Sequence, residues 1–216
     1  MPLTKGGAAF VAHFRMIAGG LTVPFLHRPA PHLGGMFTIR AARATLSDLP
    51  GIDTSRLSIV ALQPEDADAV RRLTDDPAIT AAVDFLPTPF TLQDAQDLIL
   101  SGRRGQDRFL GAWMRGTDSA TGSVGGDLVG VVGTHLRGAG VIEIGYWIGG
   151  AARGRGFAFE AVSAIIDLLV RRFPSRTIVA ECRPANVASW GLLEKLGFRD
   201  TGEEGHRPGR RLLRRT

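Results

Sequence analysis

The feature that most limits how this chain can fold is the stretch from Val141 to Ala158, VIEIGYWIGGAARGRGFA. Its first part is mostly β-branched, aromatic or aliphatic, which predicts a strand interrupted by one carboxylate, Glu143. Small residues then form a loop, and the segment RGRGFA at 153–158 leads into a long apolar helix. A glycine-rich turn before a helix N-terminus presents unpaired backbone N–H groups and a favourable dipole to an anion. The stretch therefore predicts a site for a phosphate-bearing ligand.

Two common glycine motifs do not fit this stretch. A P-loop requires Lys and then Ser or Thr after its glycines, whereas an apolar pair stands here. The dinucleotide fingerprint G-x-G-x-x-G is matched from Gly154 up to, but not including, its last position, and Glu181 is the nearest candidate for its acidic residue. The pattern Arg-x-x-Gly-x-Ala, formed by Arg153, Gly156 and Ala158, fits better. A plain glycine-rich turn remains the alternative for this short motif taken alone.

The rest of the chain from residue 55 predicts alternating strands and helices. Strands are predicted at 56–62, 108–115, 127–136, 141–148 and 177–182. Helices are predicted at 64–73, at 157–172, at 187–196 and from Thr91, which forms a capping box with Asp94. A flexible loop is expected at 116–126, and residues 203–216 can hold at most one short edge strand. The helix at 157–172 is expected to be buried on most of its circumference. An antiparallel meander followed by one β-α-β crossover predicts an α+β fold, with a mixed, mostly antiparallel twisted sheet flanked by helices.

A second motif lies in the segment NVASWGLLEKLGF at 186–198. Its Asn-x-x-Ser start and its Glu-Lys-x-Gly-Phe end, together with the Arg-x-x-Gly-x-Ala loop upstream, resemble the signature of the GCN5-related N-acetyltransferase (GNAT) family. Two motifs in the right order, separated by the helix and strand that the fold requires, are far more specific than either alone. The resemblance covers roughly residues 55–201. The opening at 54–67 resembles the RimJ/RimL-type branch, which modifies N-terminal amines of ribosomal proteins and other amines.

The resemblance implies transfer of an acetyl group from acetyl-CoA to a primary amine, either a protein N-terminus or a small molecule, by direct attack in a ternary complex. Backbone N–H groups near Trp147 and Ile148 would hold the tetrahedral oxyanion. No metal is implied. The expected cofactor-binding residues are Trp147, Ile148, Arg153, Gly154, Arg155, Gly156, Phe157, Ala158 and Asn186.

The amine must lose a proton before it can attack, because an alkylamine is largely protonated at neutral pH. Glu143 is the predicted general base, because it lies on the strand beside the loop. Its surroundings are expected to be apolar, which would favour the neutral form of the acid. An ordinary solvent-exposed strand glutamate is the alternative. Asp84 and His135 are the weaker candidates for the base.

The chain departs from the family at Leu193, where many members carry a tyrosine that protonates the departing thiolate. Ser189 lies four residues earlier and so on the same face of the helix, and it is the predicted catalytic replacement. A serine that only fills a contact between helices is the alternative. The single tyrosine of the chain, Tyr146, lies on the central strand.

Charge is concentrated at the two ends of this chain of 216 residues. Residues 1–47 carry +5 and residues 203–216 carry +3 of a net charge of +5, which leaves −3 for residues 48–202. We expect a basic, partly helical N-terminal extension at 1–52 with a helix at 8–18, an acetyltransferase domain at 53–202 and a basic C-terminal tail at 203–216. The tail is expected to be dispensable for chemistry on a small amine, with either a weak polyanion contact or mere solubility as its role.

The remaining composition narrows the class of protein. An apolar content of 44% is sufficient for a core, and no apolar run reaches the roughly 18 residues of a membrane span. One cysteine, Cys182, excludes an internal disulfide and any multi-cysteine metal site, so a cytoplasmic location without membrane attachment is expected. A homodimer remains open. The competing function is a non-catalytic protein that binds coenzyme A or RNA on a degenerate acetyltransferase domain.

Overall fold

The structure is a computed structural model that describes residues 45–116 and 126–216. The helix predicted at 8–18 and nearly all of the loop predicted at 116–126 lie outside the described residues. The strands are β1 Ile52–Asp53, β2 Leu57–Ala61, β3 Asp107–Met114, β4 Leu128–Arg137, β5 Val141–Ile148, β6 Thr177–Cys182, β7 Phe198–Glu204 and β8 Arg211–Arg215. The helices are α1 Ala67–Thr74, α2 Pro77–Thr80, α3 Leu92–Ser101, α4 Phe157–Arg172 and α5 Val187–Lys195, with short 3-10 turns at Pro64–Asp66 and Gly150–Ala152. No helix in these two segments is long and apolar enough to cross a membrane.

These strands form one sheet in the order β1-β2-β3-β4-β5-β6-β8-β7. Neighbours are antiparallel except β5 and β6, which are parallel because α4 carries the chain back across the sheet. The predicted α+β class with a mixed, mostly antiparallel sheet is therefore confirmed. The prediction of an edge strand at the C-terminus is wrong: β8 lies between β6 and β7. Its Leu213 is completely buried, and its backbone pairs with a strand on each side.

Alternation of side chains along the central strands gives the sheet two different faces. On one face, Ile142, Ile144 and Ile178 pack with α4 and α5 in the larger core. On the other face, Val131 and Trp147 pack with α1 and α3 in a second apolar cluster. The two faces contact different helices, so successive side chains of β5 pack in different parts of the protein.

The helix α4 follows the glycine loop and rests on the larger core. Its buried residues are Phe157, Ala161, Val162, Ile165, Ile166 and Leu169. Phe159 and Val170 stay exposed, at 46% and 41% of their surface. Six of its sixteen residues are buried and five more are half-buried, so the expected burial over most of the circumference is confirmed, although the exposed side includes two apolar residues.

The pairing of the two parallel strands is short. It runs from Val141 opposite Thr177 to Ile144 opposite Ala180 and stops there. The rest of β5 remains paired with β4, while the end of β6 is paired with β8. The two strands therefore part just before the glycine loop, which leaves a gap in the middle of the sheet.

Candidate active site

A cleft of about 780 Å³ lies where β5 and β6 part. Its walls come from the central strands, the start of α4, the helix α5 and the segment around α2. One wall is apolar and contains Ile79, Val83, Phe85, Phe109 and Trp147. The opposite end is charged and contains His135, Glu143, Glu181, Arg207 and Arg210. In residues 45–116 and 126–216, no group of three or more His, Cys, Asp or Glu side chains could hold a metal ion.

The glycine loop forms one end of this cleft. Gly154 and Gly156 have φ angles of 73° and 81°, in the left-handed region that glycine adopts without steric cost. Gly156 directly precedes α4, so the backbone N–H groups of the first helical turn lie at the cleft. Phe157 and Ala158 line it together with both glycines. The structure thus places the backbone predicted to bind an anion at the surface of the cleft.

Arg153 braces the loop from inside. Its Nε donates to the carbonyl oxygen of Ile148 at 3.1 Å, and its Nη2 lies 3.0 Å from Oδ2 of Asp76. Asp76 is the N-cap of α2 and accepts a hydrogen bond from the N–H of Ala78. Arg153 therefore links the end of β5, the glycine loop and α2. It also lines the cleft and remains 44% exposed, so its guanidinium is accessible to a ligand.

The outer side of the loop is held by residues that the motif did not indicate. Arg56 donates from Nη1 to the carbonyl oxygen of Arg155 at 2.9 Å and pairs with Glu160 at 2.6 Å. Burial raises the pKa of Glu160, but hydrogen bonds from Thr54 and Arg56 outweigh it and lower the pKa to about 2. The guanidinium of Arg155 lies over the Phe157 ring, 5.0 Å from its centroid. Among the predicted cofactor-binding residues, Arg155 is the one that does not line the cleft.

Trp147 and Ile148 bring the end of β5 to the cleft. The buried Nε1 of Trp147 donates to Oγ1 of Thr74 at 3.0 Å, which holds the indole ring against α1. The ring meets Phe85 and Phe109 at centroid distances of 6.4 and 6.3 Å. These aromatic contacts form most of the apolar wall.

Glu143 is buried, with 7% of its surface exposed, but its surroundings are not apolar as predicted. Its Oε2 accepts a hydrogen bond from Nε of Arg137 at 2.9 Å, and its Oε1 accepts one from the guanidinium of Arg207. The prediction of apolar surroundings is wrong because one arginine reaches this position from β4 and another from the turn between β7 and β8. Both oxygens therefore form charge-assisted hydrogen bonds.

Glu181 holds that turn against β6. Its side chain is 1% exposed and accepts the N–H of His206 at 2.6 Å and Nε of Arg207 at 2.8 Å. Burial raises the pKa of Glu181, but these donors outweigh it and lower the pKa to about 2. The turn at 205–210, named here the clasp, thus joins the charged ends of β5 and β6.

The two weaker base candidates have different positions. Asp84 pairs with Arg183 and Arg210 and is not among the residues that line the cleft. His135 does line the cleft, and its Nδ1 lies 2.7 Å from Oδ1 of Asp107. The structure therefore brings His135, but not Asp84, next to Glu143.

Asn186 and Ser189 begin α5 at the side of the cleft. Oδ1 of Asn186 accepts the N–H of Ser189 at 3.2 Å, so Asn186 caps the helix. Oγ of Ser189 lies 2.9 Å from Oη of Tyr146, a residue that the sequence analysis did not assign to the site. Burial raises the pKa of Tyr146 to about 12, against the opposing effect of the Ser189 hydrogen bond. The phenol is therefore neutral at physiological pH and can donate a proton to a hydrogen bond.

Comparisons with known proteins agree with this architecture. Residues 56–199 match the family model of the acetyltransferase (GNAT) domain, and the chain belongs to this family. An uncharacterized N-acetyltransferase, p20 of Bacillus licheniformis, is 31% identical over 157 residues, which cover 69% of this chain and 82% of p20. A GNAT-family acetyltransferase from Bacillus anthracis superposes with a TM-score of 0.64 at 22% identity, covering 76% of this chain and 97% of that one. RimL, a ribosomal L7/L12 α-N-protein acetyltransferase solved with coenzyme A, has a TM-score of 0.64 at 16% identity, covering 76% and 96%.

Proposed function

We propose that this acetyltransferase moves an acetyl group from acetyl-CoA to a primary amine by direct attack in a ternary complex. The observation that carries the proposal is the cleft between the parted strands β5 and β6, which runs to the glycine-bearing N-terminus of α4. A helix N-terminus suits a pyrophosphate, and the gap in the sheet suits an extended arm that ends in a thioester. The solved RimL structure, which contains coenzyme A, supports this assignment.

The cofactor would lie along the loop from Trp147 to Ala158. Backbone N–H groups of residues 153–158 would bind its pyrophosphate, with the exposed guanidinium of Arg153 adding charge. Asn186 uses its carbonyl oxygen as a helix cap, which leaves its NH₂ group as the donor for the amide-rich arm. Arg155 would act indirectly, because its carbonyl is the group that Arg56 holds.

Ser189 would meet the departing thiolate. The hydroxyl groups of Ser189 and Tyr146 are in hydrogen-bonding contact, so the phenol can donate to Ser189 Oγ while Ser189 donates to the sulfur. Such a relay increases the polarity of the serine O–H bond and stabilises developing charge. Tyr146 thereby supplies from β5 a phenol that the chain lacks at Leu193 on α5.

Glu143 would organise the acceptor end of the cleft. Its carboxylate binds Arg137 and Arg207 on either side, and Glu143 and Arg207 line the part of the cleft where an acceptor would lie. Each oxygen already accepts a hydrogen bond from an arginine, so we assign Glu143 a positioning role close to the reacting amine.

The acceptor class that we favour is the N-terminal amine of a protein, in a cytoplasmic setting, since RimL is an α-N-protein acetyltransferase. A small-molecule amine is the second class. The competing idea of a polyanion-binding protein loses support from the basic C-terminus, because Arg207, Arg210 and Arg211 form ion pairs with carboxylates of the same chain.

An acceptor screen tests the proposal. The protein is incubated with acetyl-CoA and, in turn, ribosomal proteins, peptides with free N-termini, polyamines and aminoglycosides, and the products are analysed by mass spectrometry. We expect acetylation of at least one amine class with release of free thiol. Binding of acetyl-CoA without transfer to any of these amines would favour the non-catalytic alternative.

A further inference from the structure

We infer that His135, held by Asp107, is the group that takes the proton from the acceptor amine. The inference rests on the proposed acetyl transfer and adds a catalytic residue to it. Three neighbouring strands supply the parts: Asp107 from β3, His135 from β4 and Glu143 from β5 lie in register with one another on the same face of the sheet.

The contact with Asp107 determines which nitrogen of the ring is available. Burial raises the pKa of Asp107, but the hydrogen bonds and charges of His135 and Arg137 outweigh it, and the net shift of the pKa is downward. An ionised carboxylate can only accept, so Nδ1 of His135 must be the donor over the 2.7 Å contact. In the neutral ring the lone pair is then on Nε2, the arrangement of a carboxylate-oriented general base.

Nε2 lies over Gly133, beside the Phe109 ring, and the open part of the cleft begins at the neighbouring Gly145. Gly133 and Gly145 are paired across β4 and β5 and form the floor there. A Cβ on Gly133 would lie 2.8 Å from Nε2 of His135, whereas a Cβ on Gly145 would meet no atom within 4 Å. An acceptor nitrogen above this glycine floor can therefore approach Nε2 and also the end of the parted strands, where the thioester would lie.

The ring is also held in orientation and partly shielded. Phe109 contacts it edge to face, with a centroid distance of 5.5 Å, and the side chain of His135 is only 14% exposed. The charged groups around it are Asp107 on β3, Arg137 on its own strand and Glu143 on β5, with Arg207 of the clasp beyond Glu143. Asp107 is the carboxylate in direct contact with the ring, while both oxygens of Glu143 are engaged by Arg137 and Arg207.

The protons and bonds balance with His135 in this role. One proton of the ammonium passes to Nε2, and the neutral nitrogen attacks the carbonyl carbon of the thioester. The N–C bond forms and the C–S bond breaks. The second nitrogen proton leaves as the amide forms, the thiolate takes one proton through Ser189 or solvent, and the imidazolium returns its proton to solvent. Glu143 keeps both arginines throughout.

The test compares His135→Gln, Asp107→Asn and the surface control Asp97→Asn on α3, using the best amine from the acceptor screen and a fluorinated analogue whose ammonium is more acidic. For the ordinary amine, His135→Gln should lower kcat/KM by about 10²- to 10⁴-fold. For the analogue, which is already neutral, the loss should be much smaller. Acetyl-CoA affinity by calorimetry and the melting temperature should stay near those of the wild type, and Asp97→Asn should behave as the wild type. Asp107→Asn should fall between them, because an amide can donate to Nδ1 and favour the wrong tautomer.

Three results would overturn the inference. One is a normal rate for folded His135→Gln with both amines across pH 6 to 9, and another is an equal loss for both amines, which a structural role would give. A third is independent of activity: nitrogen NMR of the full chain showing that the neutral His135 carries its proton on Nε2. If the wild type transfers acetyl to no amine at all, the proposed function fails and this inference fails with it. If the wild type is active and one of the three results is found, only this inference fails.

Discussion

Among single residues, Gly156 meets two requirements at the same place. Its φ of 81° favours glycine, and it directly precedes the first turn of α4, where a pyrophosphate would bind. Gly156→Asp adds strain and a negative charge, and we expect acetyl-CoA affinity to fall by at least about tenfold, the equivalent of 1.4 kcal/mol. Gly138, in the β4–β5 turn, has a φ of 62° and open space around it, so Gly138→Asp is a control of matched backbone strain. Calorimetry on both folded variants checks this, and equal affinities would contradict the assigned site.

Glu143 offers a second test at this scale. Glu143→Gln leaves one arginine facing an amide NH₂, so it breaks a buried charge pair, which typically costs about 3–5 kcal/mol. We expect a clear loss of stability in urea unfolding and a moderate fall in kcat, with the shape of the pH–rate profile retained. A loss of 10²-fold or more at unchanged stability, with the acidic limb of the profile abolished, would instead make Glu143 the base, as the sequence alone suggested.

The contact between Ser189 and Tyr146 gives a third prediction. Ser189→Ala removes the proposed donor to the sulfur and should slow the acetyl-transfer step by about ten- to a hundredfold, with acetyl-CoA affinity nearly unchanged. Tyr146→Phe removes only the second donor and should cause a smaller loss in the same step. Pre-steady-state kinetics distinguishes these results from a packing role, which would lower the melting temperature at a normal rate.

At the scale of elements, the clasp between β7 and β8 closes the charged end of the cleft. Arg207 contacts Glu143 and Glu181 together, so its loss leaves two buried carboxylates short of a partner. We expect Arg207→Ala to cost about 3 kcal/mol of stability and to raise KM for the acceptor more than for acetyl-CoA. Arg214→Ala, an exposed arginine of β8, is the matched control. The prediction for Arg207 reverses the expectation that the basic C-terminus is dispensable. A fully active, stable chain without residues 207–216 would refute the prediction.

Local signals in the sequence predicted the elements better than they predicted the charged site. The capping box of Thr91 and Asp94 is present, and α4 begins and ends where glycine and proline indicated. The insertion of β8 could not be predicted, because the order of strands depends on pairings that no local pattern records. For the same reason the contact of Arg207 with Glu143 went unpredicted: Arg207 is 64 residues away in sequence and reaches Glu143 only through that insertion.

For the whole molecule, two carboxylates connect parts of the chain that are distant in sequence. Glu160 on α4 holds the segment before β2 through Thr54 and Arg56, and Glu181 on β6 holds the clasp. Both have a pKa of about 2 in the folded chain, against an ordinary value of 4.5. A depressed folded pKa stabilises the protein at pH values above the unfolded pKa, and that contribution is lost as the pH falls through the folded pKa.

We therefore expect the free energy of unfolding to decrease steeply between about pH 4.5 and pH 2. At 1.36 kcal/mol for each pKa unit, Glu181 contributes on the order of 3 kcal/mol at neutral pH. Glu160 contributes less, because solvent screens its pair with Arg56, which is 46% exposed. Urea unfolding at several pH values between 7 and 3 measures this dependence. Glu181→Gln should be less stable than the wild type at pH 7 and approach it in acid, because the wild type loses the same interaction there. Glu203→Gln, an exposed glutamate of β7, should follow the wild type throughout. A constant difference between Glu181→Gln and the wild type at every pH would show that packing, and not the charge of Glu181, holds the clasp on the sheet.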